Sequence, residues 1–348
     1  MRKFQILVVF FYSMTLSLFV SGQNVEAPTD SNHSIFELLT HEHDSIAEVK
    51  LETDWAGLIQ QKMKEEYQEG VLSFRQTDGS MLRLDVKLRA RGNVRKQVCL
   101  YPPIKIKIPK NQLTHLGLRD TFNDLKLILS CREGKQYEDC LLKEALAYKL
   151  YELISPVYFK TKVIKMAGWD GDKERFAFYA MLIEDDPEFS SRLNAKKINT
   201  ETVKTHTLDR ETYLKMTFFQ YMIANVDWAI HNKHNVSMFF IPGFQKPVSV
   251  AYDFDYSGFV STNYAVPHES VPITSVTQRY FMGQFVTLEE AMKTAAFFQS
   301  KKEDILRTCA SYYLLDDKNR QSLERYLLKF FEVLDRKKKI KREFVSKR

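Results

Sequence analysis

The sequence is poor in glycine, proline and cysteine, with 12, 10 and 4 of these residues among 348. No glycine-rich segment has the spacing of a Walker-type phosphate loop, so a loop that covers a phosphate would have to be short. No two cysteines are spaced as Cys-x-x-Cys, which argues against a zinc site of that type. The chain therefore lacks two of the most common sequence signatures of phosphate and metal binding.

Long apolar runs are also missing, except near the N-terminus. Residues 6–20 are apolar, Arg2 and Lys3 precede them, and Gly22 lies at the expected cleavage position, a pattern typical of a secretory signal peptide. An uncleaved N-terminal anchor is the alternative. After cleavage we expect no transmembrane span and a secreted, periplasmic or cell-envelope location. The predicted organisation is a signal peptide over 1–22, a linker over 23–45 and one domain over 46–348.

The positive net charge is concentrated at one end of the chain. The formal net charge is +7, and residues 336–348 hold eight basic residues and one acidic residue. The rest of the mature chain is close to neutral, which argues against a nucleic-acid partner.

The four cysteines fit a protein that folds outside the reducing cytosol. A Cys131–Cys140 disulfide is feasible because a turn-like segment separates the two residues, and a Cys99–Cys131 disulfide is equally open. Buried free thiols are the remaining alternative.

The first half of the domain is predicted to be rich in β-strands. Alternating apolar and polar residues predict strands, and Asp78-Gly79 predicts a tight turn between the first two. A stripe of leucines then predicts a helix. The predicted strands are 71–75, 82–89, 104–108, 125–129 and 176–183, and the helix is 139–154.

These elements carry candidate nucleotide-binding residues. A lysine on a strand and a glutamate on the following helix form the ion pair that positions phosphate in kinase N-lobes. Lys107 is the first choice for this lysine, followed by Lys105 and Lys126, and Glu144 is the glutamate. Two further candidates belong to neighbouring segments. They are Arg91, in the short Arg-Gly-Asn segment predicted to cover phosphate, and Glu184, at the hinge expected to bind adenine.

The second half begins with a helix, a polar loop and a hairpin. Residues 211–224 have helical apolar spacing, with Asp209 as the predicted N-cap. The loop 225–235 follows, and strands at 236–240 and 248–252 precede an Asp-Phe-Asp motif. In kinases this order of elements delivers a base and the metal ligands to one cleft.

The predicted catalytic base is Asp227, because a loop aspartate of this kind accepts the proton of a substrate hydroxyl. Mg²⁺ binds few protein oxygens together with phosphate oxygens. The candidate ligands are Asp253 and Asp255, with an amide from either Asn235, which directly precedes a strand, or Asn232, whose spacing from Asp227 matches kinases better.

The C-terminal part is predicted to be mostly helical, with helices over 288–299, 303–314 and 318–341. The expected fold class is α+β, a two-lobed protein-kinase-like fold. Its β-rich N-lobe would cover about 46–185 and its mostly helical C-lobe about 186–348.

Over residues 85–260 the chain resembles the CotH spore-coat kinase family, an atypical kinase-like group. The loop with Trp228 is longer than the family's usual loop, and Pro102-Pro103 stands where that family often has basic residues. The resemblance implies Asp227 as the base, Asn235 and Asp253 as metal ligands, and ATP with Mg²⁺ as cofactors. The matching segments are Arg91-Gly92-Asn93, Leu142–Tyr148, Leu182–Asp185, Asn225-Val226-Asp227 with Asn235, and Tyr252–Asp255.

The expected activity is transfer of a phosphoryl group from Mg-ATP to a hydroxyl of an unknown protein or glycan. A non-catalytic surface or binding module with the same fold is one alternative. A nucleotidyl (AMP) transferase that uses the same cleft is another, and the sequence does not separate it from a kinase.

Overall fold

The computed structural model describes residues 33–41 and 46–345. The predicted signal peptide lies outside these residues. Within the described ranges, no helix combines the length and the apolar composition needed to cross a membrane.

Seven strands form a closed sheet in the N-terminal half of the chain. Their order around the sheet is β1-β2-β3-β4-β5-β7-β6, and parallel pairing of β1 with β6 closes it. All other neighbouring pairs are antiparallel. The strands are β1 Glu48–Thr53, β2 Gln68–Arg75, β3 Met81–Ala90, β4 Ile104–Lys107, β5 Asp124–Leu129, β6 Thr161–Asp170 and β7 Lys173–Ile183.

The alternating sequence explains how this sheet encloses a core. Along β3, exposed and buried residues alternate, so that Leu84 and Leu88 point inward between polar neighbours. The β2–β3 turn has Gly79 at φ 85°, a conformation that suits glycine. The inward-facing side chains of the strands form one continuous hydrophobic cluster.

Helices make up most of the regular secondary structure outside this sheet. A second sheet, with strand order β10-β9-β8, consists of β8 Lys196–Lys197, β9 Val236–Phe240 and β10 Val248–Ala251. The helices are α1 Ile35–His41, α2 Trp55–Gln60, α3 Val94–Val98, α4 Lys110–His115, α5 Lys135–Ile154, α6 Asp186–Arg192, α7 Arg210–Met222, α8 Leu288–Ser300, α9 Lys302–Ala310, α10 Asp317–Leu334 and α11 Lys337–Phe344, with a 3₁₀ turn at Thr205–Thr207.

A second hydrophobic core fills the helical part. It joins α5, α7 and the small sheet to the C-terminal helices. Tyr151 of α5 packs against Phe219 of α7, and both rings lie close to Phe254. Helix α5 therefore connects the closed sheet to the helical part of the molecule.

The structure confirms a mixed α+β class with a β-rich first half and a helical second half. Besides short helices that the sequence did not predict, three differences from the expected architecture stand out. The sheet is closed, with β1 and β6 as additional strands. Helix α1 lies inside the segment expected as a linker, because its apolar side chains pack in the core of the closed sheet. The helix expected over 318–341 is interrupted, since α10 ends at Leu334 and α11 begins at Lys337.

Candidate active site

A cleft of about 320 Å³ contains most of the candidate residues. Its lining comes from the β3–β4 connection, from β5 and the end of β7, from the loop 225–235, and from residues 252–256. The closed sheet and the helical part of the chain therefore both contribute to this cleft.

The β3–β4 connection covers one side of the cleft. The backbone N–H of Arg91 donates to the carbonyl of Pro103 at 2.8 Å, which closes the base of the connection. Gly92 has φ 87°, so the chain turns sharply there before α3 begins. A Cys99–Cys131 disulfide joins the end of α3 to the end of β5. Of the two pairings that the sequence left open, the structure contains this one.

Arg95, in α3, lies at the centre of a buried ion-pair cluster. Its Nε donates to Oδ2 of Asp255 at 2.8 Å, and its Nη2 donates to Oε1 of Glu144 at 2.7 Å and to Oδ1 of Asp253 at 3.1 Å. The Asp255 carboxylate also accepts a hydrogen bond from the Tyr264 hydroxyl at 2.8 Å. One guanidinium thus holds three carboxylates from two different segments.

The cluster carries more negative than positive charge. Burial raises the pKa of Glu144, and the nearby Asp255 and Asp253 raise it further, against the lowering effect of Arg95. Burial and Asp255 also raise the pKa of Asp253. Because 44% of the Asp253 side chain is exposed, water in the cleft offsets part of this rise. An additional cation beside Asp253 would relieve the excess charge.

Helix α7 delivers the loop that carries Asp227. The predicted N-cap is confirmed, since the Asp209 side chain accepts from the backbone N–H of Thr212 at 2.9 Å. After the helix, the Asn225 side chain accepts from the N–H of Asp227 at 3.0 Å. The buried Trp228 indole donates to the carbonyl of Asn225 at 3.2 Å. These contacts fix the backbone of the loop on both sides of Asp227.

Both carboxylate oxygens of Asp227 have partners. Oδ1 lies 2.8 Å from Nε2 of His234, and Oδ2 accepts from the Asn235 amide at 2.9 Å. The hydrogen bond to Asp227 raises the pKa of His234. The Asn235 amide nitrogen also donates to the Asp227 carbonyl at 2.8 Å. Both of these hydrogen bonds use the nitrogen of the Asn235 side chain, and neither uses its oxygen.

Asn235 and Asp253 lie at adjacent ends of the β9–β10 hairpin. Both have a left-handed backbone, with φ 50° and 62°, which asparagine and aspartate tolerate better than most residues. The N–H of Tyr252 donates to the Asn235 carbonyl at 3.1 Å, and the N–H of Asp253 donates to the Tyr148 hydroxyl at 2.8 Å. Non-glycine residues in this conformation are concentrated at functional sites.

Of the two asparagines proposed as a metal ligand, the structure places Asn235 in the cleft. Asn232 is exposed and does not line it. The Ala229–His234 backbone bridge accounts for this arrangement, since it closes the intervening residues into a turn that projects outward.

Of the three candidate lysines, Lys126 alone lines the cleft. Lys107 is exposed on β4 and does not line the cleft, and Lys105 pairs with Asp124 at 2.7 Å. Lys126, on the strand directly before α5, lines the cleft and pairs with Asp185 at 2.7 Å. Alternation along a strand indicates which residues share a face, but it does not indicate which strand borders the cleft.

The two candidate glutamates are both buried and both paired with arginine. Glu144 pairs with Arg95 and with none of the candidate lysines. Glu184 lines the cleft and accepts from Arg192 at 2.7 Å and from the N–H of Lys160 at 3.0 Å. Arg91 also lines the cleft, at the start of the β3–β4 connection.

Arg95 is the site residue that the sequence analysis missed. It lies two residues after the Arg-Gly-Asn segment, so that segment was the available signal. Its partners lie 49 to 160 positions away along the chain, and local sequence patterns do not predict contacts over such distances.

The residues at this cleft fit one Mg²⁺ ion. Asp253 and Asn235 supply oxygen donors beside an excess of negative charge. Within the described residues no three histidine, cysteine, aspartate or glutamate side chains converge as a metal cluster. Mg²⁺ does not require one when substrate phosphate completes its coordination.

No protein-family model and no curated protein matches this sequence. Among solved structures, the chain is similar to the Helicobacter pylori proinflammatory kinase CtkA, with 8% sequence identity and a TM-score of 0.38. The similarity covers 74% of this chain and 95% of that chain. A similarity this remote carries no functional inference, so the expected membership in the CotH family stays a prediction.

Proposed function

We propose that the protein is a kinase-like phosphotransferase with two lobes, which transfers the γ-phosphoryl group of Mg-ATP to a hydroxyl of a protein or glycan. The observation that carries this proposal is the meeting of Asp227, Asn235 and Asp253 in one cleft that Arg91 and Lys126 also line. A base, metal-binding oxygens and phosphate-binding cations are the parts that phosphoryl transfer needs.

The cleft offers complementary surfaces for a nucleotide. Ile128, Phe159 and Ile183 provide apolar contacts for a purine ring. Arg91 and Lys126 provide positive charge for the phosphates. To contact a phosphate oxygen, Lys126 would exchange its ion pairs with Asp185 and Asp186.

Asp227 is the proposed general base. The acceptor hydroxyl oxygen bonds to the γ-phosphorus, its proton passes to Asp227, and the bond from that phosphorus to the β–γ bridging oxygen breaks, so that ADP leaves with the electron pair. Asn235 and His234 orient the carboxylate through its two oxygens. Asp253 and Asn235 would hold Mg²⁺, which neutralises charge on the phosphate oxygens when bound.

We further propose that the protein works in a secreted, periplasmic or envelope compartment. The Cys99–Cys131 disulfide supports this location, because disulfides persist mainly in oxidising environments.

The first test is thermal unfolding with and without ATP plus Mg²⁺. Ligand that binds only the folded state should raise the unfolding midpoint. Asp253→Ala should abolish the increase, and the exposed turn variant Asp172→Ala should retain it. A well-folded wild type with no increase would refute the proposal.

The second test follows transfer of radiolabelled γ-phosphate to proteins and glycans of an envelope extract. Loss of a general base typically lowers the rate by about 10²–10⁴-fold, so we expect that reduction in Asp227→Asn, with the nucleotide-dependent midpoint increase retained.

Binding without transfer in the wild type would favour a non-catalytic binding module. The Arg95–Asp253 ion pair is the observation that supports this second candidate, since it engages a proposed metal ligand.

A further inference from the structure

We propose that this site holds a single divalent cation, at Asp253 and Asn235, and that the Arg95 guanidinium occupies the place of a second cation beside Asp255. The inference rests on the proposed function. Protein kinases hold two Mg²⁺ ions with an aspartate and an asparagine, so the proposal distinguishes this cleft from that arrangement.

The contacts of Arg95 support its role as a fixed cation. Its side chain is only 10% exposed, and its donors are directed at Asp255 and Asp253 within ordinary hydrogen-bond distance. Glu144 anchors the same guanidinium from α5 at 2.7 Å. A cation held by three carboxylates from two segments of the chain is positioned by the fold, not by a ligand.

Asp255 is poorly placed to bind a metal. Its side chain is 5% exposed, whereas that of Asp253 is 44% exposed. Oδ2 of Asp255 already accepts from Arg95 and from Tyr264, each at 2.8 Å. Oδ1 of Asp253 accepts one hydrogen bond in the cluster, from Arg95 at 3.1 Å, and the side chain is much more exposed than that of Asp255, so Asp253 is the aspartate available to the cleft.

The position of Arg95 also favours one divalent cation. A second divalent ion bound to Asp255 would lie beside the Arg95 guanidinium, whose Nε donates to Oδ2 of Asp255 at 2.8 Å. Two cations this close repel each other, so a divalent ion is favoured at Asp253 and not at Asp255.

The test is the stoichiometry of Mn²⁺ binding, measured from the electron paramagnetic resonance signal of free Mn²⁺ in the presence of a non-hydrolysable ATP analogue. The nucleotide alone also binds Mn²⁺, so the signal is corrected with a protein-free titration. We expect about one protein-dependent Mn²⁺ per chain in the wild type and about two in Arg95→Gln. The matched control Lys96→Gln, in the same helix, should keep one, because Lys96 pairs with Glu65 outside the cluster.

A second pair of variants keeps the test decisive if Arg95→Gln does not fold. Asp253→Asn should weaken Mn²⁺ binding by at least about tenfold, whereas Asp255→Asn should change it by less than about threefold. Two Mn²⁺ ions in the wild type, or equal losses in the two variants, would overturn the inference while leaving the phosphotransferase proposal intact. No binding of nucleotide or Mn²⁺ by the wild type would instead refute the proposed function.

Discussion

At the residue scale, Glu188 is a buried carboxyl group outside the cleft. It lies in α6, is 4% exposed, and accepts a hydrogen bond from the hydroxyl of Ser34, directly before α1. Burial raises its pKa to about 7, and nearby Glu37 and Glu184 contribute to the rise. The folded protein therefore retains a proton that the unfolded chain loses near pH 4.5.

This raised pKa predicts a pH-dependent loss of stability. The protonated Glu188 side chain contributes fully to the free energy of unfolding below the pKa of the unfolded chain. This contribution is lost as the pH rises through about 7. Glutamine stays neutral at every pH, so it does not lose this contribution. The free energy of unfolding of Glu188→Gln, relative to that of the wild type, should therefore rise by an amount on the order of 1 kcal/mol from pH 5 to pH 8. Chemical unfolding at both pH values measures this gain. The exposed Glu66→Gln should show none, and an equal change in both variants would contradict the prediction.

Single residues differed in how far the sequence could predict their positions. Asp227 and Asp253 follow a helix and a hairpin that local patterns predict, so their approach in one cleft could be anticipated from element order. Arg95 could not, because its position depends on how α3 packs against α5 and the segment after β10. The choice of Lys126 over Lys107 depends in the same way on sheet order.

At the element scale, the β3–β4 connection is held by a covalent bond. The Cys99–Cys131 disulfide spans 32 positions and joins α3 to the residues directly before α5. It therefore links the segment that carries Arg95 to the residues that lead into α5, the helix that carries Glu144. The bond limits how far this part of the connection can move from the cleft.

Removal of the disulfide should destabilise the protein. A disulfide restricts the unfolded chain, and loss of one with this spacing typically costs about 2–4 kcal/mol. We expect that reduction in the free energy of unfolding for Cys99→Ser, measured with urea. Cys140→Ser is the matched control, since Cys140 is a free, half-buried cysteine. If the two serine variants were equally stable, the disulfide would not have the expected role.

Helices and strands could be predicted where the local sequence contains a clear pattern. The β2–β3 hairpin has clear alternation and a glycine turn, and α7 has a strong N-cap and helical apolar spacing. Strands β1 and β6 were not predicted, because they meet through parallel pairing across more than 100 residues. The break between α10 and α11 contains no proline or glycine, so the sequence has no helix-breaking residue that would predict it.

At the scale of the whole molecule, stability comes from two cores. One lies inside the closed sheet and the other among the helices around α5 and α7. Helix α1 belongs to the first core, with Ile35, Phe36, Leu38 and Leu39 all buried. Its side chains therefore seal the sheet core although they precede the first strand.

Removal of α1 should weaken the protein as a whole. Because burial of one large apolar side chain contributes about 1.5–3 kcal/mol, a chain that begins at residue 46 should lose several kcal/mol relative to one that begins at residue 33. Thermal and urea unfolding measure the difference. Phe36→Ala in the longer chain should lose about 3 kcal/mol. Equal stability of the two chains would show that α1 does not support the sheet.

Closure of the large sheet also restricts how partners can attach. Every strand in the ring has a neighbour on both sides, so the sheet has no outer strand with a free row of backbone donors and acceptors. A polypeptide that recognises its partner by β-augmentation cannot extend this ring without opening it. Among the described residues, only the small β8–β9–β10 sheet has outer strands, and an acceptor polypeptide would otherwise have to be recognised through its side chains.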